Sequence, residues 1–333
     1  MLLHCPASMA LPKLQTRTLG RTGIDVSLIS FGAGPVPALM TDSAALALQR
    51  QTLGCALEAG INWFDTAATY GNGASELHLG AALRELGAAN RVHVGTKVRL
   101  AEGDLNDIRG AVKRSVTASL ERLGLSRVTL IQLHNSITAQ RGDQPTSISP
   151  RDVLGQDGVV RVFEELKSDG LVENYGLTAL GDAPSLDEVL CGAPWATAQV
   201  CCNLLEPQVA LLTLCARLGV GVLAIRVMAG GALAGQPPSQ HTRTTKFFPL
   251  PIYERDQQTA ARLEPLLPAG VSLKETAVRG VIGRPQITTA VIGFATPTQV
   301  KEAAEFAAAG PLPTGLLAAL QLAATAPPHS LMA

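Results

Sequence analysis

Three ionisable side chains stand at the ends of three successive short apolar runs: Asp65 in WFDTA, Lys97 in VHVGTK and His134 in LIQLH. A fourth, Tyr70, follows Asp65 in the glycine-rich stretch ATYGNG. Together they contain the parts of an acid–base device. A phenol, with a pKa of about 10, yields its proton to a developing alkoxide only when a cation stabilises the phenolate, and a lysine ammonium is such a cation. A carboxylate beside the lysine keeps it charged, and an imidazole can orient a substrate oxygen or relay a proton to it. The chemistry this set suits is proton transfer at the oxygen of a carbonyl or alcohol. A strand-end lysine could instead form a Schiff base, but pairing with Asp65 makes Lys97 a charged and therefore poor nucleophile. Each residue alone also has an architectural use: a turn or cap for Asp, packing for Tyr, a satisfied core position for His. Their coincidence at equivalent strand ends is what points to a site.

Such a site needs elements that end side by side. Short β-rich runs alternate with helical segments throughout, with strands predicted over 26–31, 61–65, 92–97, 128–134, 172–177, 197–202, 220–225 and 288–292. Runs such as VTLIQL and GVLAI are almost wholly apolar, as parallel strands covered on both faces must be. Between them, Ile108, Val112, Val116, Leu120 and Leu123 recur at helical spacing and Gly124 closes the helix. Segments 158–167 and 297–308 carry similar stripes. Repeated βα units in this number predict an α/β fold, a (β/α)8 TIM barrel, with an open doubly wound sheet as the alternative. Adjacent parallel strands lie about 5 Å apart, so three consecutive strand ends converge on one patch of the barrel mouth. The stretch LQTRTLGRTGIDVS reads as a β-hairpin plugging the opposite, N-terminal end. Two stretches, 135–157 and 229–253, show no periodicity and follow strands, which places them as irregular loops on the active-site side.

Composition bounds the partners. The chain has 333 residues, 47% hydrophobic and 16% charged, which is ample for a large core and too little charge for disorder. Lys plus Arg and Asp plus Glu each number 27, so no net field recruits nucleic acid or an anionic membrane, and a small molecule is the expected partner. No two of the six cysteines have metal-knuckle spacing, and no apolar run suits a signal or anchor; buried thiols in a reducing cytoplasm are expected. The domain reading is a loose tail at 1–10, one barrel over 11–310, and a C-terminal helix and tail at 311–333.

The stretches LGRTGIDVSLISFGAG, AGINWFDTAATYGNGASELHLGAAL, VGTKV, AQVCCNLLEP, GVGVLAIRVMAGGALAG and AVIGFATPTQVKEAA resemble the aldo-keto reductase family over roughly residues 14–310. The resemblance places Asp65, Tyr70, Lys97 and His134 on that family's catalytic tetrad, and implies metal-free hydride transfer between NADP or NAD and a carbonyl or sugar substrate. It further implies nicotinamide-end contacts from Gly32, Ala33, Thr178 and Gln199. Ile225 would stand where an aromatic ring usually stacks on the nicotinamide. A pyrophosphate stretch would run through Arg226, Val227, Met228, Gly230, Gly231 and Leu233, with an adenosine end at Gly293, Ala295, Gln299 and Glu302. Three departures stand out: Thr178-Ala179 replaces the usual Ser-Asn pair, Ile225 replaces the aromatic, and Ala295 stands where a basic residue often meets a 2′-phosphate. The last makes NAD(H) more plausible here than for a typical member, with Lys301 a conceivable substitute. The branch most resembled oxidises aldoses such as galactose or fucose. A non-catalytic regulatory role, like that of potassium-channel β subunits, is the alternative function.

Overall fold

The computed structural model describes residues 12–325; the tail expected at 1–10 and the last residues of 311–333 lie outside them. A two-stranded antiparallel hairpin, β1 (Thr16–Thr18) and β2 (Asp25–Ser27), comes first. Eight parallel strands follow: β3 (Ile29–Gly32), β4 (Trp63–Asp65), β5 (His93–Val98), β6 (Val128–Leu133), β7 (Val172–Thr178), β8 (Thr197–Cys201), β9 (Gly221–Ile225) and β10 (Ile287–Gly293). They close in the order β10-β3-β4-β5-β6-β7-β8-β9, so the expected barrel forms and the open sheet does not.

The run expected at 26–31 is two strands. Up to Ser27 the chain pairs antiparallel with Thr16–Thr18, and from Ile29 it pairs in parallel with β10, so one extended segment serves two sheets. Extended propensity and apolar character are continuous across Leu28, which hides the exchange of partners.

The hairpin plugs the barrel floor. Leu19 and Val26 pack with Trp63, Leu130, Leu223 and Val291 in a cluster separate from the main core. Gly20, at φ +50°, allows this approach, because a Cβ there would collide with the backbone nitrogen of Gly221. The main core lies between the barrel's outer face and the helices; β6 is buried along its whole length, as a strand covered on both faces should be.

The helices follow their sequence signals. Ile108–Leu123 starts at Asp107, whose side chain accepts from the Gly110 amide, and ends at left-handed Gly124. Pro297–Ala308 starts under a Thr296 cap with proline in its first turn. The stretches expected to be irregular contain short helices: Pro150–Leu154 under a Ser149 capping box, Gln240–Thr244 capped by Ser239, and the first residues of Leu250–Leu263. Helices of five residues are too short to display a hydrophobic period, and only their caps announce them. The helix Thr314–Thr325 closes the described chain and buries Leu320 and Ala323 beside Leu263 and Tyr253.

Candidate active site

The register of the barrel builds the site. Asp65 lies opposite Gly32 on one side and Gly95 on the other, and Lys97 lies opposite Gln132. Lys97 Nζ donates to Asp65 Oδ1 in a fully buried ion pair, to the Thr66 carbonyl at 2.8 Å, and to the Tyr70 hydroxyl at 3.4 Å. The ammonium also lies 4.9 Å from the Tyr70 ring centroid. Tyr70 is brought back over the mouth by Gly71 and Asn72, both left-handed, and a Cβ on Gly34 would rest against its ring. The His134 ring stands edge-on to Tyr70, with centroids 5.6 Å apart. The four residues marked in the sequence therefore meet at one place.

Burial weighs most on the buried pair. It tends to strip Lys97 of its proton, but the charges of Asp65 and Tyr70 and their hydrogen bonds outweigh it and hold the ammonium above the ordinary lysine value. Burial likewise pushes the Asp65 carboxyl upward, opposed by Lys97, Gln199 and Gln132. Gln199 Nε2 donates to Asp65 Oδ2 at 2.5 Å and Gln132 Nε2 at 3.4 Å, so the carboxylate meets three donors. That arrangement supports the ionised form. His134 is driven well below the ordinary imidazole value by burial first, then by the Arg99 and Lys97 cations, and is neutral at physiological pH.

The residues of this mouth match a known family: the Aldo/keto reductase family model covers residues 30–322. The chain belongs to that family. It is an NAD(P)-dependent oxidoreductase. Among its aldo/keto reductase relatives, an L-galactose dehydrogenase from Arabidopsis thaliana is 29% identical over 303 residues, with 87% of each chain covered. A D-threo-aldose 1-dehydrogenase from a Pseudomonas species is 26% identical over 339 residues, covering 90% of this chain and 94% of the other. The holo form of an aldo-keto reductase from Bacillus halodurans superposes with a TM-score of 0.72 at 25% identity, covering 96% of this chain and 99% of that one.

The residues that the resemblance assigns to the nucleotide fall on or just past β7, β8, β9, β10 and β3, five consecutive strands of the closed barrel. They therefore form a continuous arc of this reductase's mouth. Ala33 donates its amide to the Asp65 carbonyl at 2.8 Å and accepts from Ser75 Oγ at 2.7 Å, so its main chain is already engaged. Thr178 is in register with Gln199, and its hydroxyl is buried with no hydrogen-bond partner. Ile225 ends β9, half-buried, and Arg226 follows at φ +56° with its guanidinium 3.2 Å from Asp256 and 4.1 Å from the Phe248 ring. The side chains of Val227 and Leu233 are buried in the apolar clusters and Met228 packs against both clusters, while the Ala229 amide is held by the Arg226 carbonyl and the Gly231 and Leu233 amides by that of Met228. Gly230 and Gly231 adopt φ of +70° and +106°, and no atom lies within 3.4 Å of a Cβ placed on Gly230. At the adenosine end, Gly293 answers first to packing, because a Cβ there would strike the Val36 carbonyl. Gln299 Oε1 accepts from the Ala295 amide at 2.7 Å, and Glu302 accepts from Lys274 at 2.7 Å.

Several participants were not marked in the sequence. Gln132 is the one side-chain amide of VTLIQL, an anomaly in a largely apolar strand that could have drawn attention. Arg99 donates from Nε to the His134 carbonyl at 3.3 Å and stacks 4.5 Å from the Phe247 ring. Its signal was the period of two that carries it to the same face as Lys97. Glu76, fully buried, accepts from Arg122 Nε at 2.7 Å and from Thr96 at 2.5 Å, and so braces the residue next to Lys97.

The buried neutral imidazole has a measurable cost in acid. An unfolded imidazole takes a proton near 6.5, while folded His134 stays neutral to lower pH. The unfolded chain therefore binds more protons below that value, and stability falls as pH falls, by at most about 1.4 kcal/mol per pH unit from this residue. Denaturant midpoints measured from about pH 7.5 to about pH 5.5 should decline less steeply in His134→Gln than in the wild type. Parallel curves would show that His134 is not the group that titrates.

Proposed function

We propose that this reductase interconverts a carbonyl and an alcohol on a small aldehyde, ketone or aldose, with Tyr70 as the general acid and base. One observation carries the reading: the chain Asp65, Lys97, Tyr70 ends in a phenol oxygen at the barrel mouth, beside a neutral imidazole. The Lys97 ammonium is placed to stabilise negative charge developing on the Tyr70 oxygen. Asp65, held by Gln132 and Gln199, keeps that ammonium charged and in position. Neutral His134 orients the substrate oxygen by hydrogen bonding, and a proton relay through its imidazolium is disfavoured.

The mouth also fits a nicotinamide nucleotide. The orphaned Thr178 hydroxyl next to Gln199 is a polar partner waiting for an amide, and left-handed Gly230, where a Cβ would meet nothing closer than 3.7 Å, leaves a phosphate room to approach its main chain. When bound, the nicotinamide supplies or accepts the hydride at the substrate carbon. Ala295 offers a methyl where a 2′-phosphate would need a cationic fork, which favours NAD(H) or equal use of both nucleotides.

The likeness to an L-galactose dehydrogenase and a D-threo-aldose 1-dehydrogenase supports sugars as first candidates, over a barrel taken as a single unit across 11–310. The test is turnover, followed through nicotinamide absorbance, on a panel of aldoses and small aldehydes with each nucleotide, together with fluorescence titration of NADH and NADPH. Turnover is expected, with NADPH bound no more than about threefold tighter than NADH. Nucleotide binding without turnover of any compound would instead favour a regulatory subunit.

A further inference from the structure

Gly95 and Lys97 face the barrel interior, where a Cβ on Gly95 would meet Trp63 and Lys97 meets Asp65. The same two-residue period carries Arg99 to the rim above Lys97. Its guanidinium is held by the His134 carbonyl through Nε and by the Phe247 ring. Among the described residues no carboxylate pairs with it, and its terminal nitrogens are not among the buried atoms left without a partner, so they reach solvent at the mouth. The groups that feel its charge are Tyr70, His134 and His241.

Two further observations bear on what this cation meets. From β5 the barrel runs through β4 and β3 before β10, and through β6, β7 and β8 before β9. Arg99, just past β5, thus stands across the mouth from the strands that carry Arg226, Gly230, Gly231 and Gly293, on the β4–β6 side that a nucleotide lying over β7 to β10 and β3 leaves to the substrate. Residues 227–253, which bring Phe247 to it, contain Arg243 and Lys246 and neither Asp nor Glu, in a chain whose charges balance at 27 of each sign, and Arg226 before them is paired with Asp256. A neutral substrate covering Arg99 would strip water from a partly buried cation and return nothing. An oxyanion would restore the lost hydrogen bonds through the guanidinium fork.

We propose that Arg99 is a specificity-determining residue that binds an oxyanion on the substrate, so that the preferred carbonyl compound carries a carboxylate or phosphate near its reacting carbon. The inference rests on the oxidoreductase function proposed above. It is tested with two matched pairs, succinic semialdehyde against butyraldehyde and glyceraldehyde 3-phosphate against glyceraldehyde, in wild type and Arg99→Gln, with NADH and NADPH both supplied. In at least one pair the wild-type kcat/KM is expected to favour the anionic member by about tenfold or more, chiefly through KM, and the ratio should collapse towards one in Arg99→Gln. The pair that shows the preference identifies carboxylate or phosphate as the source. The wild-type ratio should also shrink as salt is raised, a readout that does not depend on the variant folding. Equal rates within both pairs, or a ratio untouched by Arg99→Gln and by salt, would overturn this proposal alone. Turnover within the aldose and aldehyde panel above but of none of these four compounds would overturn this inference alone, whereas no turnover of any compound in either set would overturn the proposed function and this inference with it.

Discussion

Tyr70→Phe is expected to lower kcat by about a thousandfold, within the range general acid–base catalysis contributes, while nucleotide affinity stays within about threefold of wild type. The reasoning is local. The substitution removes only the hydroxyl, the far end of the Asp65, Lys97, Tyr70 chain, and Lys97 retains Asp65 and the Thr66 carbonyl as partners. The ring remains to pack edge-on against His134 and beneath Gly34, so the fold should be untouched. Stopped-flow rates of nicotinamide oxidation and fluorescence titration on the same preparation separate chemistry from binding. A variant that turns over at the wild-type rate would remove Tyr70 from the role of acid.

The second large effect concerns the pair itself. Lys97→Met leaves the buried Asp65 carboxylate without its cation, and breaking such a pair from one side costs about 3–5 kcal/mol. Activity should fall at least as far as in Tyr70→Phe, because the phenol then lacks the charge that stabilises its deprotonated form. The stability loss should depend on pH in a definite direction. Burial raises the Asp65 carboxyl, and without Lys97 that rise is unopposed by charge, so the folded variant holds a proton that the unfolded chain releases. The folded state then binds more protons than the unfolded one, and stability declines as pH rises. Denaturation at about pH 5 and about pH 8 should therefore show the larger deficit at the higher pH. Adding Asp65→Asn should recover most of the stability at about pH 8 and none of the activity, since removal of both charges is far less costly than removal of one. A Lys97→Met protein as stable as wild type at both pH values would contradict the buried-pair geometry.

Much of this was legible before any coordinates. Strand ends are marked by where apolar runs stop, so Asp65, Lys97 and His134 could be placed at one end of a barrel from their neighbours alone. Tyr70 was legible because the glycines around it permit the turn that brings it back. The helix Ile108–Leu123 was legible from its stripe and its closing glycine. The short helices at Pro150–Leu154 and Gln240–Thr244 were not, because five residues hold little more than one turn and no period. The hand-over at Leu28 was also hidden, since a single extended stretch looks the same whether its partner is a hairpin or a barrel.

By itself, then, the sequence determined which residues face inward at the strand ends, the barrel that groups them, and the acid–base character of the group. Tertiary structure alone decided who meets whom. Gln199 reaches Asp65 across 134 residues of chain, Arg99 finds Phe247 and the His134 carbonyl, and Gly293 proves to be required by Val36. The physical reason is that periodicity reports the face a side chain occupies, whereas its partner is set by closure of the barrel. That closure brings distant strand ends within hydrogen-bonding distance and leaves no local trace.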